Sequence, residues 1–225
     1  MREIVLDTET TGLNPRDGHR ILEIACLELV HQVPTGKSFY SLIDPQRDVP
    51  EDAARIHGIT TEKLVGQPRF KQVAREFLDF IGDDPLIIHN APFDMRFLNA
   101  ELFRARLPEL PSDRAIDTLM MAQRKFPGAP ASLDALCRRF SIDNSGRVFH
   151  GALLDCELLA EVYVNLLGGR QAALGFSVEA ERSGPALGRI ERPFRPARPH
   201  AASEAELLAH AGFVAKIKDA LWNQA

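Results

Sequence analysis

An α/β fold is what this sequence predicts, and three observations predict it. Short apolar runs of strand length, at residues 2–7 and 85–89, alternate with longer stretches whose apolar residues recur at helical spacing, at 92–106 and 152–167. The 225 residues suffice for one sizeable core with an appendage. After Gly168-Gly169 the composition shifts, and residues 177–202 hold Pro185, Pro193, Pro196 and Pro199 with neither strand nor helix period, as a linker does.

Each element has its own local reason. Ile4-Val5-Leu6 centres the first strand, and alternating patterns predict further strands near 21–30 and 37–43, followed by helical patterns at 50–56 and 70–81. Strand 85–89 runs through Asn90, read as a helix N-cap, and Pro92, suited to a first turn, into helix 92–106 with Phe93, Phe97, Leu98 and Leu102 at helical spacing. A short strand at 114–117 precedes helices at 118–125, 132–140 and 152–167, the last with Leu158, Leu159, Val162 and Leu166 toward a core. Beyond the linker, Ser203-Glu204-Ala205-Glu206 is a capping box that opens a terminal helix carrying Leu207, Ala211, Val214 and Leu221, with Trp222 near its end.

Composition narrows the functional classes. A formal charge of -4 argues against a broad basic surface for gripping duplex DNA, so any nucleic-acid contact is local. Cys26, Cys137 and Cys156 are odd in number and lack metal-ligand spacing, which fits a reduced cytoplasm and packing roles. No apolar run approaches membrane-spanning length, and the N-terminus begins directly in strand pattern, so the expectation is a cytoplasmic protein with no membrane partner.

Five polar residues stand at the ends of apolar elements: Asp7, Glu9, Asp94, His150 and Asp155. Strand geometry points Asp7 and Glu9 to one face, where a single hard cation can engage both. Taken alone, such a pair is equally a solvated strand end. Asp94 in the first turn of one helix, Asp155 in the first turn of another, and His150 on the loop before it convert the pair into a set.

With Asp7-Thr8-Glu9, His89-Asn90-Ala91-Pro92-Phe93-Asp94, and His150 five residues before Asp155, residues 1–168 resemble the DEDDh 3'-to-5' exonucleases of the ribonuclease H-like superfamily. Within it the chain looks most like the epsilon-type proofreading subunits of bacterial DNA polymerase III, through Ile56-His57-Gly58-Ile59, Phe126-Pro127-Gly128, Ser132-Leu133-Asp134-Ala135-Leu136-Cys137 and Ile142-Asp143-Asn144-Ser145. The resemblance implies a mixed central sheet flanked by helices, with a flexible C-terminal tail. It implies hydrolysis at the 3' end of a single-stranded or frayed DNA primer with two divalent ions, Mg²⁺ or Mn²⁺, about 3.5 to 4 Å apart. Asp7 then bridges the ions, Glu9 and Asp155 complete the one that binds the attacking water, Asp94 helps hold the other, and His150 accepts the water's proton.

For the terminal nucleotide the same resemblance points to His57 and Asp52, with Thr10 offering a backbone amide and Leu13 an apolar wedge. An acid-rich helix start would give Asp52 and His57 a similar look. Phe93 either stacks on a base or packs in the core, and His89 reads as a satisfied structural histidine. Gln171, Leu174 and Phe176 are spaced as in a sliding-clamp-binding peptide, or end a helix against the domain.

The expected organisation is therefore an exonuclease domain at 1–170, a clamp-binding-like peptide at 171–176, a linker at 177–202, and a tail at 203–225 that binds the polymerase III catalytic subunit through Leu207, Val214, Leu221 and Trp222. A small accessory subunit and a place at the replisome also follow from the resemblance. The competing readings are a free-standing DEDDh nuclease acting on RNA or short oligonucleotides, and a mainly structural adaptor between polymerase and clamp.

Overall fold

The apolar run Ile4-Val5-Leu6 is buried on both sides, which makes β1 (Arg2–Thr10) a central strand. The computed structural model describes residues 1–146, 149–169 and 201–218. With β2 (Ile21–Val30), β3 (Val33–Leu42), β4 (Leu86–Ile88) and β5 (Ala115–Asp117), β1 forms a five-stranded sheet in the order β3-β2-β1-β4-β5. β2 pairs antiparallel with β1 and β3, whereas β4 runs parallel to β1 and β5, so the sheet is mixed.

Helices cover both faces. On one, Ile4 and Leu6 meet Phe70, Ala74, Phe77 and Ile81 of α2 (Phe70–Ile81, after α1 at Glu51–His57) and Phe97, Leu98 and Leu102 of α3 (Ala91–Ala105). On the other, Val5 meets Ala122 of α4 (Thr118–Lys125), Leu136 and Cys137 of α5 (Leu133–Phe140), and Cys156, Leu159 and Tyr163 of α6 (Ala152–Leu166). Strand parity then settles the site: Asp7 and Glu9 share the α6 side with Val5, while Thr8 shares the α3 side with Leu6.

The structure moves some expected boundaries. β1 continues through Thr10, so Asp7 and Glu9 lie within the strand, because β2 pairs with it as far as Ile21. β3 begins at Val33, not 37, because His31 and Gln32, at φ 51° and 65°, make a two-residue hairpin turn that pairs Val30 with Val33. Asn90 sits at the N-cap position of α3 but makes no side-chain cap hydrogen bond. Its backbone is left-handed, a conformation asparagine tolerates, and its N–H donates to Asp117 Oδ1 at 3.1 Å.

By contacts the chain forms two units, Met1–Gly175 and Phe176–Ala225. In the second, the Ser203–Glu206 capping box is present and opens α7 (Glu204–Val214). α7 is shorter than the expected terminal helix, since residues 215–218 form turns. Leu207 is exposed and Val214 is buried. Gln171, Leu174, Phe176, Leu221, Trp222 and residues 177–200 of the linker lie outside the described residues. Among the described residues no helix is long and apolar enough to cross a membrane.

Candidate active site

Three elements bring the acids together. β1 presents Asp7 and Glu9, the first turn of α6 presents Asp155, and the first turn of α3 presents Asp94. One potential ligand atom each from Glu9, His150 and Asp155 lies within 4.8 Å of the others. His150 Nδ1 is 3.6 Å from Asp155 Oδ2, and the His150 N–H donates to the Ile56 carbonyl at 3.0 Å, which ties the loop before α6 to α1. Phe149 crosses Gly58 so closely that a Cβ there would sit 2.9 Å from its ring, and Gly58 has φ 71°, so a larger residue would be strained on both counts.

Asp94 is held from β1. The Thr8 N–H and Oγ1–H both donate to its Oδ1, at 3.1 and 2.7 Å, so the residue between the two strand acids positions the third carboxylate. Burial raises the Asp94 pKa to about 7 despite these bonds, with the Asp117 charge adding to the rise. Burial also holds the Asp7 pKa well above the carboxylate range, and the charges of Asp94, Glu9, Asp155 and Glu23 push the same way. Asp7 and Asp94, two buried carboxylates that resist ionising, stand with Glu9 and Asp155 as an oxygen donor set of the kind hard divalent cations take, so these residues fit such ions.

The other expected contacts are placed unevenly. Leu13 is 80% exposed, beyond a turn in which Thr10 Oγ1 donates to the Gly12 carbonyl at 2.7 Å. His57 is buried at the end of α1, and its Nδ1 accepts from the Ile59 N–H at 3.1 Å, which leaves the proton of the neutral ring on Nε2. That Nε2 has no hydrogen-bond partner among the described residues. Burial lowers the His57 pKa; the nearby His150 and Lys63 act the same way, and the Thr10 backbone acts against them.

Asp52 is exposed in the first turn of α1, where a carboxylate suits the positive helix end, and it is not among the grouped ligands. Phe93 is half-buried with its ring centroid 5.1 Å from that of Phe97, in the core on the α3 side. His89 Nδ1 lies 2.9 Å from Thr118 Oγ1, as a structural histidine would. The Cys156 Sγ–H donates to the Ala25 carbonyl at 3.4 Å.

Sequence reasoning missed Thr8, Glu23 and Asp117. Thr8 was open to discovery, since alternation sends it to the face opposite Asp7 and Glu9. Glu23 and Asp117 gave no such signal, because their partners lie far away in the chain.

A family model described as an exonuclease, RNase T, matches residues 4–163. The DNA polymerase III subunit epsilon of Rickettsia felis is 59% identical over 176 residues, covering 77% of each chain. That of Escherichia coli K12 is 43% identical over 220 residues, covering 93% of this chain and 90% of the relative. Among solved structures, exonuclease X in complex with 5' overhanging duplex DNA superposes with a TM-score of 0.59 at 27% identity, over 73% of this chain and 90% of that one. The nuclease domain of 3'hExo, a DEDDh member bound to rAMP, gives a TM-score of 0.63 at 22% identity over 74% and 91%, a likeness of fold.

Proposed function

The chain belongs to the RNase T exonuclease family, and on that premise we propose that it proofreads DNA, removing mismatched 3'-terminal nucleotides one at a time as the epsilon-type subunit of a replicative polymerase III. The observation that carries the reading is the convergence of Glu9, His150 and Asp155 beside Asp7 and Asp94. Two divalent ions, Mg²⁺ or Mn²⁺, would be held by these carboxylates, one by Asp7, Glu9 and Asp155 and the other by Asp7 with Asp94. Bound ions neutralise phosphate charge and make water a stronger nucleophile at neutral pH.

The protein's own groups do the rest. A histidine ring nitrogen at His150, beside Asp155 Oδ2, takes the proton from the attacking water. The buried His57 Nε2–H, without a hydrogen-bond partner among the described residues, donates to an oxygen of the terminal nucleotide. Leu13, exposed at the turn after β1, wedges beneath the terminal base, and Thr10 offers it a backbone amide. Asp52 at the start of α1 and Phe93 at the start of α3 border this subsite, Phe93 chiefly by packing.

Residues 1–170 form the catalytic domain in this reading. Gln171, Leu174 and Phe176 dock on the sliding clamp, residues 177–202 tether, and 203–225 bind the polymerase catalytic subunit through Leu207, Val214, Leu221 and Trp222. Exposed Leu207, Leu208 and Phe213 on α7 support an interface there. A small accessory subunit and a cytoplasmic site of action at the replisome belong to the same reading.

The deciding experiment is Mg²⁺- or Mn²⁺-dependent release of mononucleotides from end-labelled single-stranded DNA and RNA. Faster release from DNA 3' ends is expected. A strong preference for RNA or very short oligonucleotides would favour a free-standing nuclease, and absent release would favour the adaptor.

A further inference from the structure

Glu23 is a buried acid, 5% exposed, directly opposite Glu9 in the β1–β2 ladder. Like charges facing each other across an antiparallel pair destabilise a sheet, so this carboxylate requires compensation. The structure supplies it from two directions. Glu23 Oε2 accepts from the Ala152 N–H at 2.8 Å, and Oε1 accepts from the Tyr40 hydroxyl on β3 at 2.7 Å.

Ala152 is the first residue of α6, and Gly151 before it has no side chain with which to cap the helix. An acid 129 residues away in the chain therefore does the capping, and its negative charge suits the positive end of the helix. His150 is two residues before that bond and Asp155 three residues after it, with the Asp155 N–H closing the first turn on the Gly151 carbonyl at 2.9 Å. The register of α6 against β1 at the site thus depends on where this carboxylate is held.

We propose that Glu23 is a positioning residue: fixed by Tyr40, it anchors the start of α6 and so sets the placement of His150 and Asp155 against Glu9. This rests on the assignment of those residues as the active site, and it adds a charged contact from β2 and β3 that the five motif residues do not contain.

The test is a set of variants of the full chain, Glu23→Ala, Glu23→Gln and Tyr40→Phe, with Asp7→Ala as control. Readouts are single-strand hydrolysis, Mn²⁺ titration, thermal melting and amide exchange over 149–156. Glu23→Ala should lower kcat about 10- to 100-fold, the range for losing a group that orients a metal ligand, weaken Mn²⁺ binding, speed exchange of the Ala152 amide, and leave KM for DNA within a few-fold.

Glu23→Gln keeps an acceptor for the Ala152 N–H and should restore most of kcat. Tyr40 is exposed enough to tolerate Phe, which should cost several-fold in kcat in the parent but nothing further in Glu23→Ala. Folded Glu23→Ala with parental kcat, Mn²⁺ affinity and Ala152 exchange would overturn the proposal. So would equal losses in the Gln and Ala variants, or loss that only follows the melted fraction. If Asp7→Ala stays active, the active-site assignment itself fails; if Asp7→Ala is inactive while Glu23→Ala is unperturbed, only the positioning role fails.

Discussion

Asp94 and His150, both assigned to the proposed site, come from opposite faces of the sheet and are held in opposite ways. Asp94 is 3% exposed and takes two hydrogen bonds from Thr8, a residue of the central strand. The His150 side chain is 48% exposed on a loop, held through its backbone N–H to Ile56 and facing Asp155 at 3.6 Å. The difference suits the two kinds of work proposed for them. A carboxylate that holds an ion gains from being fixed beforehand, whereas a group that exchanges a proton with water needs access to solvent.

The largest effect should come from Asp7, the buried acid on which the charges of Asp94, Glu9 and Asp155 all act. Asp7→Asn should reduce 3'-end hydrolysis to background and weaken Mn²⁺ binding while leaving the fold intact, since it relieves repulsion among the site's carboxylates. Near-parental hydrolysis with a normal melting curve would remove Asp7 from the site.

His150→Ala should lower kcat roughly 10²- to 10⁴-fold, the usual cost of losing a general base, with Mn²⁺ affinity nearly unchanged. If Mn²⁺ affinity falls in step with kcat, His150 is a ligand, and the contrast with Asp94 collapses.

Thr8→Val keeps the backbone bond to Asp94 and removes the 2.7 Å hydroxyl bond. Turnover should fall about 10-fold, at the lower end for an orienting hydrogen bond, and the effect should show in Mn²⁺ titration more than in KM for DNA. An unchanged titration would mean that the backbone bond alone fixes Asp94.

The smallest effect is on stability without metal. The Asp94 pKa is raised in the folded state to about 7, so the folded protein binds the proton more tightly than the unfolded chain does. Its contribution to stability is therefore lost as pH rises from about 4 toward 7, then stays level. His57, lowered by burial, contributes the reverse slope below its ordinary value near 6.5, so the acid's share is best read by difference. Metal-free melting at pH 8 should gain a few degrees in Asp94→Asn relative to parent, with little gain at pH 4.5. Equal shifts at both pH values would show that packing, not ionisation, is responsible.

Most of the candidate site could be singled out before any fold was known, because its signals are local. Two acids two residues apart on a strand, an acid after Asn90 and Pro92, and a histidine five residues before a helical aspartate each announce themselves within a few positions. The boundaries that shifted depend on pairing instead. β3 starts four residues early because of a turn with two left-handed residues, and Asn90 serves through its backbone tolerance and not through its side chain.

The sequence by itself determined the element types, the two-sided core and the identity of the five motif residues, because strand and helix periods and cap residues act over a few neighbours. Only the tertiary structure decided that Thr8 holds Asp94, that Ile59 fixes the tautomer of a buried His57, and that Glu23 caps a helix 129 residues away. Those contacts carry no periodicity. A buried polar group must find its partner wherever the folded chain happens to bring one, and separation along the sequence does not restrict which one that is.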